Sequence, residues 1–273
     1  MIFTKNNPLR VFEICAGYGS QALALKRLTN TYPEFAFELV GWCEFDPESN
    51  QPIDKQSAVI AHNALHPEGI GKNYGDLTKM DWSIVPDIDL LTYSTPCQSV
   101  SQAGLQHGFA EGSGTRSSII WNVRDAVRIK RPKFLMLENV KAMVTEKFVG
   151  MFNLWQLELE RLGYRNFAQV LNAKDYGVPQ NRERIFLVSI RVDDEHNMPK
   201  YYFPKPFPLE RRLKDVLEEN VDEKYYLSDE MLERFQQDGR VNSSQDGVIS
   251  DRDGVSQCHS AGHGNCPKVI EDV

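Results

Sequence analysis

The feature that most limits how this chain can fold is an alternation of two segment types over residues 9–191. Short runs rich in β-branched and aromatic residues alternate with longer stretches whose apolar residues recur at i, i+3 and i+4. The first type predicts buried strands, and the second predicts helices that pack on a sheet. Strands that alternate with helices pair in parallel, so the sequence predicts an α/β fold with a mostly parallel sheet.

Five segments have the composition of strands, and two have the spacing of helices. The strand segments are RVFEIC, FELVGWC, DLLTYS, FLMLEN and RIFLVSI, and the helical segments are SQALALKRL and GMFNLWQLELERLG. The second helix is expected to end at Gly163, because glycine commonly follows the last turn of a helix.

The composition of the chain changes after residue 191. Prolines and charges in the segment DDEHNMPKYYFPKPFPLE predict a linker, and residues 238–273 are rich in Gly, Ser, Asp and Asn. A helix is predicted near residues 228–237, where Ser228 can cap the first turn. The sequence therefore predicts a first domain over residues 1–191, followed by a linker and a second region over residues 192–273.

The charge and the cysteine content exclude several classes of protein. The formal net charge is −7, and residues 192–273 alone carry 10 Lys and Arg against 18 Asp and Glu. Such a chain does not coat nucleic acid through a broad basic surface. The five cysteines are an odd number and lack the regular spacing of a disulfide-bonded scaffold, so free thiols are expected. No apolar run approaches the ~20 residues of a membrane span, and no signal peptide is recognisable, so a cytoplasmic location is expected.

A glycine-rich turn follows the first predicted strand. Gly17 and Gly19 lie in this turn, and Glu44 ends the next predicted strand. Glycines let the backbone approach a ligand closely, and a carboxylate at the end of the second strand can accept hydrogen bonds from ribose hydroxyls. The pattern predicts a nucleotide-type site. It fits a dinucleotide-binding dehydrogenase as well, and a strand-to-helix turn without a ligand also remains open.

Cys97 follows another predicted strand, between Pro96 and Gln98. A lone cysteine is most often a small buried hydrophobic residue. This cysteine instead opens a polar, glycine-containing loop, which is a setting that suits a reactive thiolate. Such a loop at the carboxyl edge of a parallel sheet lies within reach of a bound ligand. The context therefore favours a catalytic nucleophile.

Two further polar motifs stand at the ends of predicted strands. Glu138-Asn139-Val140 ends one strand, and Gln180-Asn181-Arg182-Glu183-Arg184 precedes the last one. Each motif alone is ordinary, but the order of glycine turn, Pro-Cys-Gln, Glu-Asn-Val and Gln-x-Arg-x-Arg resembles that of the cytosine-C5 DNA methyltransferase family of bacteria and phages. The resemblance covers residues 9–191. It implies a Rossmann-like S-adenosylmethionine-dependent methyltransferase fold, followed by the start of a small target-recognition domain.

The resemblance also implies a cofactor site. S-adenosylmethionine is the expected cofactor, S-adenosylhomocysteine the expected product, and no metal is expected. In the family, the glycine turn holds the methionine part, the carboxylate that matches Glu44 binds the ribose, and the aspartate that matches Asp76 meets the adenine amino group. The implied cofactor residues are Cys15, Ala16, Gly17, Tyr18, Gly19, Ser20, Glu44, Phe45, Asp76, Leu77 and Pro96. Cys15 and Ser20 depart from the family's usual residues, which affects cofactor affinity more than chemistry.

The implied chemistry explains the catalytic residue types. C5 of cytosine is a weak nucleophile, so a Cys97 thiolate first adds to C6. Glu138 then acts at N3, which requires a carboxyl group that a closed, dry pocket keeps protonated. Arg182 steadies the cytosine O2 and the Cys97 loop, and Arg184 supports this group. Pro96, Gln98 and Asn139 complete the predicted catalytic set.

The substrate implied by the resemblance is double-stranded DNA with the target cytosine flipped out of the helix, because none of these groups can reach a stacked base. The loop of about residues 98–114, with glycines at 104, 108, 112 and 114, is expected to close over that base. Thr115-Arg116 resembles a further family motif beside the cofactor and this loop.

The family's two closing motifs are not recognisable in the sequence. A second chain or a downstream segment is therefore expected to supply them, and residues 1–273 alone are expected to show little activity on duplex DNA. Cys258, His259, His263 and Cys266 have the residue types of a zinc site. Their irregular spacing favours a glycine-rich polar loop instead.

Several other functions remain as alternatives. A transfer-RNA cytosine-C5 methyltransferase of the same superfamily shares the catalytic motifs, but the start of a variable region after residue 205 favours DNA, in a restriction-modification or phage context. An NAD-dependent dehydrogenase leaves Cys97, Glu138 and Arg182 without a joint role. An amino-methyltransferase would resemble a different motif, in which a second proline takes the place of Cys97. A non-catalytic nucleic-acid-binding module is a poor fit to an acidic chain.

Overall fold

The computed structural model of the protein describes residues 3–100, 107–223, 226, 228–230, 233 and 252–258. The described residues contain six strands and four α-helices, joined by loops and short 3-10 turns. The strands are β1 (Leu9–Ile14), β2 (Phe37–Cys43), β3 (Leu90–Tyr93), β4 (Phe134–Val140), β5 (Tyr164–Asn172) and β6 (Glu183–Arg191). The helices are α1 (Ser20–Thr31), α2 (Ser57–Leu65), α3 (Val123–Lys130) and α4 (Val149–Arg161).

The six strands form one sheet in the order β2-β1-β3-β4-β6-β5. Strand β1 pairs in parallel with both β2 and β3, and β3 pairs in parallel with β4. The carboxyl ends of β2, β1, β3 and β4 therefore lie at one edge of the sheet. This arrangement confirms the predicted α/β fold, and it places the loops that follow four adjacent strands side by side.

The core lies between the sheet and the helices that cover it. Trp155, on α4, is fully buried, and its Nε1 donates a hydrogen bond of 3.2 Å to the hydroxyl of Tyr93 at the end of β3. Phe152 and Leu159 bury the same face of α4. Because these residues recur at i, i+3 and i+7, the helix presents one apolar stripe to the sheet.

All five predicted strands and both predicted helices are present. The second of these helices, α4, ends at Arg161, and Gly163 follows with a φ of 87°, a left-handed conformation that favours glycine at this position. The structure adds β5, α2 and α3, which the sequence patterns did not single out. Most of the predicted helix at residues 228–237 lies outside the described residues.

The chain divides into two compact units. The first contains Met1–Val170 and Ile185–Tyr202, and the second contains Leu171–Arg184 and Phe203–Val273. The second unit therefore takes in residues 171–184, which the sequence assigns to the first domain. The predicted boundary at residue 192 stays a prediction. In the described part of the chain, no helix has both the length and the apolar character needed to span a membrane.

Candidate active site

The glycine turn leads from β1 into α1 with three residues in left-handed backbone conformations. The φ angles are 52° at Cys15, 57° at Gly17 and 79° at Gly19. The N–H of Gly19 donates to the carbonyl of Ala16 at 2.8 Å, which closes the turn. A Cβ added at Gly17 would meet no atom within 4 Å, so the space beside this residue is open to a ligand.

Glu44 connects the end of β2 to the glycine turn. Its Oε2 accepts a hydrogen bond of 2.7 Å from the N–H of Gly17. Asn73 holds the backbone of Glu44 from the other side, because its Oδ1 accepts from the Glu44 N–H at 3.1 Å and its Nδ2 donates to the Glu44 carbonyl. The same Oδ1 accepts from the N–H of Gly75. The sequence did not identify Asn73; the nearest signal is its position just before Asp76.

Two carboxyl groups at this edge differ in their pKa. Burial raises the pKa of Glu44 above its ordinary value, although the backbone N–H groups of Gly17 and Phe45 act in the opposite direction. Burial also acts to raise the pKa of Asp76. Hydrogen bonds from the N–H and the hydroxyl of Thr78, together with the Lys79 ammonium 3.4 Å away, outweigh burial and lower that pKa.

The other predicted cofactor residues surround these groups. Ala16 and Leu77 are buried, Phe45 is half-buried, Tyr18 is exposed, and Ser20 is the exposed first residue of α1. An open turn, with Glu44 at the end of β2 and Asp76 at the start of the 3-10 turn Leu77–Lys79, fits a ligand that carries hydroxyl and amino donors. The structure thus brings the predicted cofactor residues together at one sheet edge.

The backbone around Cys97 forms a tight turn after β3. The N–H of Val100 donates to the carbonyl of Cys97 at 2.9 Å, and the Cys97 side chain is half-buried. The buried hydroxyl of Ser117 donates to the carbonyl of Pro96 at 2.7 Å and accepts from the N–H of Ser99 at 3.1 Å. One hydroxyl group therefore holds the backbone on both sides of Cys97. The sequence did not single out Ser117.

Asn139 connects the loop after β3 to the end of β4. Its Nδ2 donates to the carbonyl of Thr95 at 2.9 Å, and both residues are buried. Glu138, directly before it, is half-buried. Because β3 and β4 are parallel neighbours with Tyr93 opposite Leu137, the Cys97 turn after β3 and Glu138 near the end of β4 lie at adjacent strand ends.

Arg116 connects this loop to the segment after Glu44. Its guanidinium donates to Gln98 Oε1 at 3.1 Å and to Asp46 Oδ1 at 2.8 Å, and it also contacts Glu48. Gln98 is exposed. Residues 101–106 of the predicted mobile loop, which include Gln102 and Gly104, lie outside the described residues.

The second unit holds Arg182 and Arg184. Asn172 Oδ1 accepts a hydrogen bond of 3.0 Å from the N–H of Arg182. The guanidinium groups of the two arginines contact Cys258 Sγ, at 3.6 Å from Arg182 and 3.7 Å from Arg184. Ser256 pairs with this motif, because its N–H donates to the Pro179 carbonyl and its carbonyl accepts from the Asn181 N–H. The sequence identified the arginines but neither Asn172 nor the pairing with residues 252–258.

The metal hypothesis concerns residues that the structure describes only in part. Cys258 is described, but His259, His263 and Cys266 are not. The described residues contain no group of three or more His, Cys, Asp or Glu side chains placed to hold a metal ion.

A comparison with family models decides the assignment. The model described as C-5 cytosine-specific DNA methylase matches residues 9–267, which is nearly the whole chain. The chain belongs to this family of DNA methylases. The resemblance inferred from the four motifs is therefore confirmed.

Individual methylases are similar to the chain over most of its length. The type II methyltransferase M2.ScrFI of Lactococcus lactis subsp. cremoris is 36% identical, in an alignment that covers 82% of this chain and 71% of the relative. The orphan methyltransferase M.Rho11sI of Bacillus phage rho11s is 32% identical, over 83% of this chain and 47% of the relative. The chain thus spans between about half and about seven-tenths of these relatives.

A comparison of structures supports the fold. A DNMT2 mutant of Spodoptera frugiperda superposes with a TM-score of 0.68 at 17% identity, and the match covers 95% of this chain and 72% of that protein. The predicted Rossmann-like methyltransferase fold is therefore confirmed.

Proposed function

We propose that this protein transfers a methyl group from S-adenosylmethionine to C5 of a cytosine in DNA. The observation that carries the proposal is the shared sheet edge. Glu44 follows β2, the glycine turn follows β1, Cys97 follows β3 and Glu138 lies near the end of β4, and these four strands are neighbours in that order. Relatives named as type II and phage orphan methyltransferases support a role in restriction-modification or in phage DNA modification.

The residues at this edge fit S-adenosylmethionine. The open turn at Gly17 would hold the methionine part, Glu44 would accept from the ribose hydroxyls, and Asp76 would accept from the adenine amino group. The bound cofactor supplies an electrophilic methyl group. S-adenosylhomocysteine is the product.

The chain's own residues activate the cytosine. The Cys97 thiolate adds to C6, and the π electrons of the C5–C6 bond move toward N3, where Glu138 donates a proton. C5 then forms its bond to the methyl group as the bond between that carbon and the sulfonium sulfur breaks, and the proton on N3 returns to Glu138. Loss of the C5 proton to a base restores the double bond and expels the thiolate. Arg182 would hold the cytosine O2, and Arg184 and Asn139 would support the two motifs.

The proposed substrate is duplex DNA with the target base flipped out, because a base stacked in the helix does not expose C6 to a thiolate. Extracting the base costs a few kcal/mol. A transfer-RNA substrate remains the second candidate within the superfamily. The matching family model describes DNA methylases, which favours DNA.

Covalent trapping tests the proposed nucleophile. Long duplex DNA in which every cytosine is replaced by 5-fluorocytosine contains every recognition sequence, and its fluorine blocks the final elimination. With S-adenosylmethionine, and with the chain or downstream segment that is expected to supply the closing motifs, the wild-type protein should form an adduct stable to denaturing electrophoresis. Cys97→Ser should form none, because a hydroxyl is far less ionised than a thiol. Omitting S-adenosylmethionine is the control, since methyl transfer traps the adduct.

Other outcomes separate the alternatives. An adduct formed by Cys97→Ser would show that another residue is the nucleophile. Methyl incorporation from labelled cofactor into transfer RNA but not DNA would favour the second candidate. Calorimetric binding of NAD together with no binding of S-adenosylmethionine would replace the methyltransferase proposal with a dehydrogenase.

A further inference from the structure

A buried polar cluster lies beneath the glycine turn, and the proposed chemistry does not use it. The cluster consists of Glu13 on β1, His62 on α2 and His66 just after α2. Their exposed fractions are 1%, 0% and 0%. Acidic side chains are almost never buried to this degree unless they are paired, and buried polar groups usually have a specific role.

His66 contacts the turn directly. Its Nε2 lies 2.9 Å from the carbonyl oxygen of Gly19. A carbonyl can only accept, so Nε2 carries the proton and donates. A Cβ added at Gly19 would approach this nitrogen to 2.5 Å, which shows how closely the imidazole packs against the turn. The same carbonyl also accepts from the N–H of Leu23 in the first turn of α1.

Glu13 holds the start of α1. Its Oε1 accepts a hydrogen bond of 2.8 Å from the N–H of Ala22. Gly19, the N-cap residue, has no side chain to satisfy the first amides of the helix, so a carboxylate from β1 does so instead. A negative charge at a helix N-terminus is also favourable to the helix dipole.

His62 connects the other two members. Its Nε2 lies 3.5 Å from Glu13 Oε2, and its ring centroid lies 4.8 Å from that of His66. The ring stacks on the indole of Trp42 at 3.7 Å with an interplanar angle of 15°. The cluster therefore joins β1 to the α2 region behind the turn and packs against Trp42 on β2.

This arrangement has a cost in stability. Glu13 Oε2, both ring nitrogens of His62 and Nδ1 of His66 are buried and have no hydrogen-bond partner among the residues that the structure describes. Buried polar atoms without partners destabilise a fold, and apolar side chains of similar volume avoid this cost. The cluster is thus poorly explained as packing alone, and its two well-made hydrogen bonds both end on the turn and its helix.

We propose that His66 and Glu13 are positioning residues for the cofactor site. They fix the Gly19 carbonyl and the Ala22 amide of α1 from behind, and so hold the turn in the conformation in which the Gly17 N–H meets Glu44. A turn that is already ordered loses less conformational freedom when the methionine part of S-adenosylmethionine binds, which raises affinity. The inference rests on the proposed function.

The test compares variants that remove or keep the donor at residue 66. His66→Phe keeps a ring of similar size but removes the Nε2–H donor, and His66→Gln keeps an N–H donor. Calorimetric titration should show a rise in the Kd for S-adenosylmethionine of about fivefold to tenfold for His66→Phe, the range expected for one lost hydrogen bond. His66→Gln should recover most of the affinity. His196→Phe, at an exposed position, is the control and should bind as the wild type does.

Thermal unfolding separates positioning from stability. His66→Phe removes a buried Nδ1 that makes no hydrogen bond and lies 3.7 Å from Glu68 Oε1, and the Gly19 carbonyl keeps its bond to Leu23, so the melting temperature should stay equal or rise while affinity falls. A purely structural residue would lower both together. If His66→Phe does not fold, His66→Ala compared with His66→Gln gives the same contrast between a missing and a retained donor.

The outcomes distinguish the two proposals. Wild-type protein that does not bind S-adenosylmethionine would overturn the proposed function. Wild-type protein that binds, together with donor-less variants of unchanged affinity, would overturn the inference alone. Loss of affinity that follows the melting temperature, without recovery by His66→Gln, would also overturn it.

Discussion

Ser117 contacts the backbone on both sides of Cys97 through one buried hydroxyl group. It donates to the carbonyl of Pro96 and accepts from the N–H of Ser99. A nucleophile that must meet C6 in a narrow range of geometry depends on such backbone restraints, because small displacements of reacting groups slow a reaction steeply. At the scale of single residues, the turn that carries the proposed nucleophile is thus held by a side chain that has no role in the proposed chemistry.

Replacing this hydroxyl should slow the covalent step selectively. Ser117→Ala leaves the Ser99 N–H without its partner, and we expect adduct formation on 5-fluorocytosine DNA to slow by about tenfold, the effect of roughly one hydrogen bond. The Kd for S-adenosylmethionine should be unchanged. Ser118→Ala is the matched control, since the Ser118 hydroxyl contacts only the Thr115 carbonyl in the described contacts. Equal rates of adduct formation for Ser117→Ala and the wild type would show that the Ser117 hydroxyl does not restrain the Cys97 turn.

Glu44 should link cofactor binding to pH-dependent stability. Burial raises its pKa above the ordinary 4.5, so the folded protein keeps this proton at pH values where the unfolded chain has lost it. The resulting stabilisation is complete below the unfolded pKa and is lost as the pH rises through the folded pKa. Glu44→Gln is neutral throughout, so its stability relative to the wild type should increase with pH, while S-adenosylmethionine binds more weakly.

Urea unfolding of both proteins at about pH 4 and about pH 8 measures this difference. A larger advantage of Glu44→Gln at the higher pH is expected. An advantage that is equal at both pH values would show that the carboxyl group carries no net cost in the fold.

At the scale of elements, α4 anchors the sheet through one apolar stripe. Trp155 is fully buried against β3, whereas Leu154 beside it is 57% exposed. The Trp155 indole also packs edge-on against Trp121 with ring centroids 5.5 Å apart. Most of the packing energy of this helix is therefore concentrated in a few residues on one face.

Truncation at adjacent positions of α4 should have very different costs. Trp155→Ala should lower the free energy of unfolding by about 3–5 kcal/mol, because it leaves a large cavity and an unpartnered Tyr93 hydroxyl. Leu154→Ala should change it by less than about 0.5 kcal/mol. Denaturant titration of the two variants checks this contrast. A similar loss of unfolding free energy in both would contradict the assignment of Trp155 to the buried face of α4 and of Leu154 to the exposed face.

Three elements escaped the sequence patterns for identifiable reasons. Strand β5 lies at the edge of the sheet and is mostly exposed or half-buried, so it lacks both a hydrophobic run and a strict alternation. Helix α2 buries His62 on its core-facing side, which hides the apolar periodicity. Helix α3 is only eight residues long, too short for a clear pattern.

At the scale of the whole molecule, the motifs of the family belong to two compact units. The glycine turn, Cys97 and Glu138 lie in the first unit, and Arg182 and Arg184 lie in the second. Within the second unit, residues 252–258 pair with the Gln-x-Arg-x-Arg motif although some seventy residues separate them. The acidic composition after residue 191 gave no indication of this pairing.

The sequence by itself determined the α/β class, five of the strands, two helices and the four motifs that identify the family. These features are local: periodicity predicts an element, and a short motif at its end predicts a site at the sheet edge. Only the tertiary structure revealed three sets of hydrogen bonds: those of Asn73 with Glu44, of Ser117 with the backbone beside Cys97, and of His66 with Gly19. The paired residues are separated by 29, about 20 and 47 residues in the chain. Such contacts depend on how strands order and helices pack, and no local pattern in the chain encodes them.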